Sequence, residues 1–267
     1  MVSLQRIYGE AVHKNFSTQY GNFPPDKPVG IGDYGLFPDR TFHKLGELSD
    51  SFGITLKPGK PSTSSYVEFK SKSGVIVATH LAGDAHIGEV GKIGRAKIAF
   101  SKARGIFFCA AGCRTQALRD ERALHRHILS LFTKNEWNPA WVVVTGAITS
   151  EAFTLVTSAD GGAEIELGTD VDGPFDFADL RVSASLKVIR ESGIGMKWIG
   201  QSGTPLLHLA GLRRKYWVAG DYQVKIRFAA EEPAEDLFAL RDSILQSGGR
   251  VEDQVDFGAI DVVDRGT

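Results

Sequence analysis

Alternation of apolar and polar residues with a period of two is the feature of this sequence that most limits its possible folds. It is clearest in residues 180–188, where Leu180, Val182 and Val188 belong to the apolar set, and it recurs in residues 95–100. Side chains of a β-strand point to its two faces in turn, so this period predicts strands with one buried and one exposed face. The chain is therefore predicted to be rich in β-structure.

A helical period of apolar residues replaces this alternation in three segments. Residues 4–14 are predicted to form an amphipathic helix with Ser3 as its N-cap, and residues 116–134 are predicted to form the longest helix. A C-terminal helix is expected to end at Gly248 and Gly249, because glycine commonly terminates helices. Helices beside many strands predict an α+β fold.

Short runs of glycine and polar residues between the strands predict how the strands are connected. Residues 65–70 and 75–81 are predicted to form a hairpin, and residues 95–100 are predicted to pair with residues 106–111. The predicted fold is thus a twisted, mainly antiparallel sheet with an amphipathic N-terminal helix, one long central helix, and a short C-terminal helix plus tail. The tail, residues 250–267, is expected either to pack as an edge strand or to remain loose.

Charge is divided unevenly along the 267 residues, although the net charge is only −1. Residues 57–134 hold 14 Lys and Arg against 5 Asp and Glu, a net of +9. Residues 229–267 hold 10 Asp and Glu against 3 Arg, a net of −7. Because opposite charges attract, we predict two parts that neutralise each other: a body, residues 1–228, and an acidic C-terminal segment, residues 229–267.

Composition argues against several classes of protein. The two cysteines, Cys109 and Cys113, give no disulfide framework, and no stretch approaches the about 20 apolar residues of a transmembrane helix. Without a signal-peptide pattern, the chain is expected in the cytoplasm. An isoelectric point near 6.7 disfavours nucleic acid as a partner. The basic region is then either an ordinary solvated face or a surface for anionic lipid, which attracts each well-placed Lys or Arg by about 1 kcal/mol.

No group of residues amounts to a cofactor or metal site. Residues 30–35 read GIGDYG and match the dinucleotide fingerprint, but prolines precede them and no helix pattern follows, so we predict a turn between short strands. Four potential zinc ligands have poor spacing for one ion, because alternate residues on a helix point to different faces. These four residues are Cys109, Cys113, His125 and His127. We expect no metal and no cofactor.

A nucleophilic enzyme would need a base close to its serine or cysteine, oriented by a carboxylate. The candidate bases are His80, His86 and His208, and no local pattern ties any of them to a nucleophile. We therefore predict that the chain is not an enzyme.

The order of these elements resembles that of the gasdermins, a family of pore-forming proteins. The resemblance consists of the amphipathic first helix, the basic β region, a helix running into residues 141–145 (WVVVT), and a second pair of long alternating strands; it covers about residues 1–230. A short C-terminal extension in place of a large inhibitory domain is similar to the bacterial members. Those members usually carry a lipidated cysteine near the N-terminus, whereas the first cysteine here is Cys109.

In gasdermins the first helix binds acidic lipid, and two regions refold into membrane-spanning hairpins once proteolysis frees the inhibitory part. The resemblance implies inserting regions near residues 65–113 and 141–189. It implies a membrane-binding helix, with Arg6 and Lys14 as headgroup contacts, formed by Leu4, Arg6, Ile7, Tyr8, Ala11, Val12 and Lys14. The basic residues expected to face lipid are Arg95, Lys97, Lys102 and Arg104.

The acidic C-terminal segment takes the inhibitory role under this hypothesis. Its apolar residues are expected to cover a hydrophobic groove, its acids to oppose the basic face, and the glycine-rich bend after its helix to be the cleavage region. The inhibitory residues are Glu235, Asp236, Leu237, Phe238, Leu240 and Ile244, and the cleavage region is Gly248, Gly249 and Arg250, with Glu231 and Glu232 upstream as the alternative.

The predicted function is accordingly that of an autoinhibited pore-forming protein, a cell-death or defence effector. Its expected partners are an activating protease, anionic membrane lipids and further copies of itself. The expected location is the cytoplasm when inactive and the inner face of the plasma membrane when active. The alternative is a soluble β-rich interaction or ligand-binding module that never enters a membrane. The pore-forming hypothesis requires the C-terminal segment to lie on a removable surface and not to thread through the central core.

Overall fold

Helices and three β-sheets make up the part of the chain that the structure describes. This computed structural model describes residues 3–16, 18–63, 66–71, 74–82, 93–172, 184–190, 193–200, 202–217, 224–228 and 234–260. The helices of that part are α1 (Leu4–Asn15), α2 (Leu48–Phe52), α3 (Glu121–Thr133), α4 (Ala234–Gln246) and α5 (Val251–Gln254), with a 3₁₀ helix at Pro38–Arg40. The α+β class is confirmed, with three sheets in place of the single sheet predicted.

The first helix forms where the sequence predicts it. The hydroxyl of Ser3 accepts a hydrogen bond from the backbone N–H of Arg6 at 3.2 Å, so Ser3 is the N-cap of α1. Helix α3, in contrast, starts five residues later than the predicted residue 116, after the N-cap Asp120. The residues before it form a strand, β9 (Arg114–Ala117). Helices α3 and α4 have 13 residues each, so the predicted contrast between a long central and a short C-terminal helix is wrong.

The central sheet closes on itself around a cluster of buried apolar residues. The strands run in the order β16-β15-β1-β3-β2-β10-β9-β4, and β10 also pairs with β15, so β10, β15, β1, β3 and β2 form a ring. Only β1 and β3 are parallel among the described pairs. The strands besides β9 are β1 (Tyr20–Asn22), β2 (Asp33–Leu36), β3 (Thr41–Glu47), β4 (Ser62–Thr63), β10 (Val142–Ser150), β15 (Gly203–Trp217), β16 (Val224–Phe228) and β17 (Val255–Ala259).

The remaining described strands form two four-stranded sheets with matching strand orders. The inner hairpin sheet has the order β14-β11-β8-β5, and the outer hairpin sheet has the order β13-β12-β7-β6. The inner strands are β5 (Tyr66–Lys70), β8 (Ile106–Ala111), β11 (Ala152–Ser158) and β14 (Ile194–Gly200). The outer strands are β6 (Val75–Ala82), β7 (Ile93–Phe100), β12 (Glu164–Asp172) and β13 (Ala184–Arg190).

Each inner strand lies next in sequence to an outer strand, and the chain changes sheet between them; residues 101–105 and 159–163 form two of these four bends. The two strands joined by a bend do not pair: β5 pairs with β8, while β6 pairs with β7. The predicted hairpin of residues 65–70 with 75–81 and the predicted pairing of 95–100 with 106–111 are therefore wrong. Instead, two long hairpins, β5–β8 and β11–β14, are each bent in the middle, at aligned positions.

Burial of apolar side chains explains the bend. The outer sheet turns its apolar face, including Ile98 and Leu167, onto Phe107 and Val156 of the inner sheet. The opposite face of the inner sheet is covered by α1. Strand β8 is covered on both faces and is buried at every position, which accounts for its evenly apolar sequence.

The C-terminal segment lies at an edge of the central sheet and also completes a core. Strand β17 pairs with β15 and with no other described strand, so the tail packs as an edge strand, one of the two outcomes predicted. Its neighbours α4 and α5 contribute to the largest cluster of buried apolar residues in the described part, opposite α3. From the segment, that cluster includes Leu237, Ile244, Val251, Val255 and Phe257. Residues 173–183, including Leu180 and Val182, and residues 261–267 lie outside the described residues.

Candidate functional site

A cleft of about 750 Å³ lies between α1 and the bend that joins β7 to β8. From the helix it is lined by Arg6, Glu10 and Lys14, and from the bend by Lys102 and Arg104. We call this space the basic cleft. It brings together residues far apart in sequence, and it unites the two predicted headgroup contacts with two of the four basic residues predicted to face lipid.

Helix α1 is fixed by its apolar face, which is buried in the protein. Tyr8 is fully buried, and its hydroxyl donates a hydrogen bond to the backbone oxygen of Pro205 at 2.9 Å. Burial raises the pKa of Tyr8, because the phenolate would be desolvated. Ala11 and Val12 are buried beside it. Three of the residues predicted to bind a membrane are therefore covered in this conformation.

The rest of the predicted membrane-binding helix is accessible. Leu4, Arg6 and Lys14 are exposed, and Ile7 is half-buried at the wall of the basic cleft. An approaching lipid surface would therefore meet mainly the charged edge of α1.

Ser158 holds the bend that presents Lys102 and Arg104. Its hydroxyl donates to the backbone oxygen of Lys102 at 2.7 Å and accepts from the N–H of Gly105 at 2.8 Å. Its backbone oxygen accepts from the N–H of Arg104 at 2.9 Å. Arg104 has φ +61°, a left-handed conformation that costs a residue other than glycine roughly 1 kcal/mol or more. The side chains of Lys102 and Arg104 extend into solvent from this fixed backbone.

The charge in the basic cleft is unbalanced. Four cationic side chains line it, whereas Glu10 is the only carboxylate among its lining residues. Glu10 pairs with Arg6 at 2.9 Å on the exposed face of α1. Lys14, Lys102 and Arg104 make no ion pair with any residue that the structure describes. The cleft is therefore a positive surface that attracts anions.

Arg95 and Lys97, which were also predicted to face lipid, are separate from this cleft. They lie on the outer hairpin sheet, where Arg95 pairs with Glu166 and Lys97 with Glu164, each at 2.9 Å. Both carboxylates come from β12, about seventy positions further along the chain. Sequence analysis missed these partners, although the alternation of Glu164 and Glu166 is the signal for one polar face.

Some of the predicted inhibitory residues are buried, and others are exposed. Leu237 and Ile244 are buried against α3, and Phe238 and Leu240 are half-buried beside them. Glu235 and Asp236 are exposed, and neither pairs with a cation in the described part of the chain, in contrast to their expected role opposite a basic face.

A different acid, which sequence analysis did not single out, connects the C-terminal segment to the body. Asp256 of β17 pairs with Arg213 of β15, with Nη2 to Oδ2 at 2.6 Å, and with His125 of α3, with Nδ1 to Oδ1 at 3.3 Å. The predicted cleavage residues Gly248, Gly249 and Arg250 are exposed between α4 and α5. That link is therefore accessible from solvent.

The candidate catalytic and metal-binding groups are not brought together among the described residues. No cluster of three or more His, Cys, Asp and Glu side chains suited to a metal ion occurs there. Burial raises the pKa of the Cys113 thiol to about 11 and also raises that of Cys109, so both thiols are protonated at neutral pH. Burial lowers the pKa of His208. His80 lies in β6, and His86 lies outside the described residues.

The stretch that matches the dinucleotide fingerprint is followed by a strand. Residues 33–36 form β2, so no helix N-terminus is available there for a phosphate. The carboxylate of Asp33 instead accepts a hydrogen bond from the N–H of Gly30 at 2.9 Å and pairs with Lys44 at 2.9 Å. The prediction of a turn between short strands is confirmed. No helix in the described part combines the length and apolar character needed to cross a membrane.

Comparison with known proteins gives a structural similarity. No family model matches the chain, and no curated protein matches its sequence. Among solved structures, the chain is similar to a bacterial gasdermin from Bradyrhizobium tropiciagri, with 14% sequence identity, a TM-score of 0.32, and coverage of 84% of this chain and 95% of that one. The gasdermin resemblance expected from the sequence is thus matched by a structural resemblance. The roles of individual residues rest on this chain's own geometry.

Proposed function

We propose that this chain is an autoinhibited pore-forming protein. Proteolysis within its acidic C-terminal segment, residues 229–267, releases the inhibition, after which the body binds anionic lipid, oligomerises and inserts two β-hairpins into the membrane. The proposal assigns the chain no catalytic role and no cofactor. It places the inactive protein in the cytoplasm and the active one at the inner face of the plasma membrane, as a cell-death or defence effector.

The observation that carries the proposal is the pair of bent hairpins. Their arms cover residues 66–82, 93–111, 152–172 and 184–200. A strand that crosses a membrane needs about 9–11 residues, so each arm, if straightened, is long enough to cross. Each arm is divided between the inner and the outer sheet at the same place in the strand order. We infer that the bends are the points at which the hairpins straighten.

The two faces of the outer sheet suit both the folded protein and a pore in a membrane. Its buried face carries Ala96, Ile98, Phe100, Ile165 and Leu167. Lipid tails are about as apolar as the inner sheet that covers these side chains now, so moving them into lipid costs little. The opposite face carries the Arg95–Glu166 and Lys97–Glu164 pairs, which would face water in a pore and keep their partners. One face of the outer sheet is thus suited to lipid and the other to water.

The alternative function is a β-rich interaction module that stays out of membranes. One observation favours it: the C-terminal segment supplies Leu237, Ile244 and Phe257 to the largest described cluster. Under this alternative the C-terminal segment is a permanent part of the fold, and the basic cleft is a solvated face.

Cleavage of the folded protein should separate the two functions. A recognition site for a sequence-specific protease is inserted between Gly249 and Arg250, where the chain is exposed. We expect the cut protein to release dye from vesicles containing phosphatidylglycerol and to leave vesicles of phosphatidylcholine alone intact. The uncut protein should release dye from neither. The control is the unmodified chain treated with the same protease. Complete cleavage without leakage from the anionic vesicles would contradict pore formation and favour the alternative.

Reversal of charge in the basic cleft should weaken the first contact with the membrane. Each well-placed lysine contributes about 1 kcal/mol near an anionic surface, so Lys14→Glu with Lys102→Glu should weaken binding of the cut protein about 30-fold or more. The matched control reverses Lys60 and Lys134, two exposed lysines outside the cleft. Sedimentation with phosphatidylglycerol vesicles at 50 and 500 mM salt measures the effect, because salt screens exposed charges. Equal losses in the two double variants would show that the cleft has no special role.

A further inference from the structure

Two contacts of different character attach the C-terminal segment to α3 and β15. The first is Arg241 of α4, which is 6% exposed. Its guanidinium donates hydrogen bonds to the side-chain oxygen of Asn135 at 2.6 Å and to the backbone oxygen of Phe132 at 3.3 Å. It also stacks on the rings of Phe132 and Phe238, 5.5 and 5.1 Å from their centroids. This attachment is buried and anchors α4 at the C-terminal end of α3.

The second attachment is the pairing of β17 with β15. It spans Val255 to Ala259 at the edge of the sheet and is reinforced by Asp256, whose Oδ2 receives hydrogen bonds from Nε and Nη2 of Arg213. Oδ1 of Asp256 faces His125. A cavity of about 310 Å³ lined by His125, Arg213 and Phe257 lies beside these groups, so water can reach the ion cluster. This attachment is a pairing of only five residues, and solvent reaches it more easily than it reaches the buried Arg241.

The link between the two attachments is exposed. Gly248 has φ +72°, and residues 247–250 are exposed, with the N–H groups of Gly248 and Gly249 bonded to backbone oxygens of the last turn of α4. The four-residue helix α5 then leads directly into β17. Opening at β15 can leave α4 in place, although it withdraws Val251 from the cluster that it shares with Ile244. A cut in the link removes the covalent connection between the two attachments.

We infer that residues 251–260, which we call the clasp, open from β15 as a unit while α4 stays bound to α3, and that Asp256 is the latch that holds the clasp closed. Apolar contacts of Val255 and Phe257 supply much of the binding. The ionic contact adds charge-assisted hydrogen bonds to this binding. Opening of the clasp breaks them and leaves the guanidinium of Arg213 without its carboxylate partner. As a regulatory device, the clasp rests on the proposed function: it would be the part that proteolysis releases, whereas α4 would remain with the body.

Hydrogen exchange on the intact, full-length chain tests the clasp without reference to membranes. Asp256→Asn removes the charge of the latch at nearly constant shape. We expect the amides of β17, and those amides of residues 210–214 in β15 that bond to β17, to exchange about tenfold faster or more, with the amides of α4 unchanged. The control, Asp253→Asn, makes the same change of charge at an exposed position of α5. Equal acceleration in α4 would show a single cooperative unit, and equal effects of the two variants would show that Asp256 is not the latch.

Salt gives a second route to the same result in the unmodified protein. The ion cluster is partly accessible, so raising the salt concentration from 50 mM to 1 M should speed exchange in β17 and spare α4. This measurement keeps the inference testable if Asp256→Asn fails to fold. Absence of any salt effect on β17 would count against an ionic latch.

Dissociation after cleavage separates the clasp from the pore. In protein cut after Gly249, the clasp peptide should dissociate about tenfold faster with Asp256→Asn than with Asp253→Asn, as followed by size-exclusion chromatography. Faster dissociation with vesicles left intact would support the clasp and reject pore formation. Leakage at the same rate in both variants, with the peptide retained, would reject the clasp and leave pore formation standing.

Discussion

Deletion of residues 229–267 from the gene is expected to unfold the protein. The segment supplies five side chains to the cluster that also contains Leu124, Ile128 and Phe132 of α3. Removal of one large buried apolar side chain costs about 2–5 kcal/mol, and whole domains are stable by only about 5–15 kcal/mol. Losing all five would exceed the stability of an ordinary domain. The side chains lost are Leu237, Ile244, Val251, Val255 and Phe257.

Thermal unfolding followed by near-ultraviolet circular dichroism measures this effect. We expect no cooperative transition in the deleted chain. The matched control ends at Ile260 and keeps every described contact, so its transition should lie within a few degrees of that of the full chain. A cooperative transition in the deleted chain near that of the control would show that the segment is dispensable for folding.

If the deleted chain unfolds, the function can be tested only by cleavage of the folded protein. Deletion before folding removes α4 together with the clasp, so both a pore-forming protein and an interaction module would lose their fold. Cleavage after folding keeps α4 on α3, where Arg241 holds it. Only the second treatment reproduces what a protease would do in a cell. A negative result with a truncated gene would therefore say nothing about pore formation.

The helices and individual strands could be predicted from the sequence because their signals are local. Ser3 caps α1, and residues 106–111, which were predicted to form a strand, are β8. The start of α3 was predicted wrongly because Gln116 fits a helix by composition but pairs with Ala147 in the sheet. Tertiary pairing there overrides local preference.

The pairing of the strands could not be predicted, for a physical reason. A run of glycine and polar residues indicates that the chain changes direction, but it does not indicate whether the strand reverses or continues at an angle. At Gly74 and at Gly162 the chain continues into the other sheet, and the true partner of each arm lies further along the chain. The choice depends on which faces become buried, and that is settled only when all four arms are together.

Only part of the basic site was predicted, because a count of charges along the chain does not show which cations have a carboxylate beside them in the fold. Lys102 and Arg104 lie in the basic cleft, whereas Arg95 and Lys97 are balanced by β12. Glu164 and Glu166 fall outside the window of residues 57–134 that gave the net charge of +9. In the same way, Asp256 is one of ten acids in the C-terminal segment, and only its position opposite Arg213 distinguishes it.

Replacement of Gly35 by alanine is expected to destabilise the protein severely, while replacement of Gly30 should have almost no effect. A Cβ atom at Gly35 would lie 1.9 Å from the backbone oxygen of His43 and 2.7 Å from its carbonyl carbon. Both atoms belong to the paired strand β3, so neither can move without breaking the pairing. At Gly30 a Cβ atom would have no neighbour within 4 Å.

The cost at Gly35 should be about 3 kcal/mol or more, at the upper end of the range for overpacking, which corresponds to a fall in Tm of roughly 10 °C. At Gly30 the free energy of unfolding should change by less than about 0.5 kcal/mol, as measured by urea denaturation. A dinucleotide site would give a different pattern, because bound nucleotide would stabilise the unmodified protein and Gly30→Ala would weaken that effect. We expect no stabilisation by NAD or ATP in either variant or in the unmodified chain. Gly35 would then be explained by the close approach of β2 to β3, since two backbones this close leave no room for a side chain, and Gly32, with φ +95°, by the turn before β2.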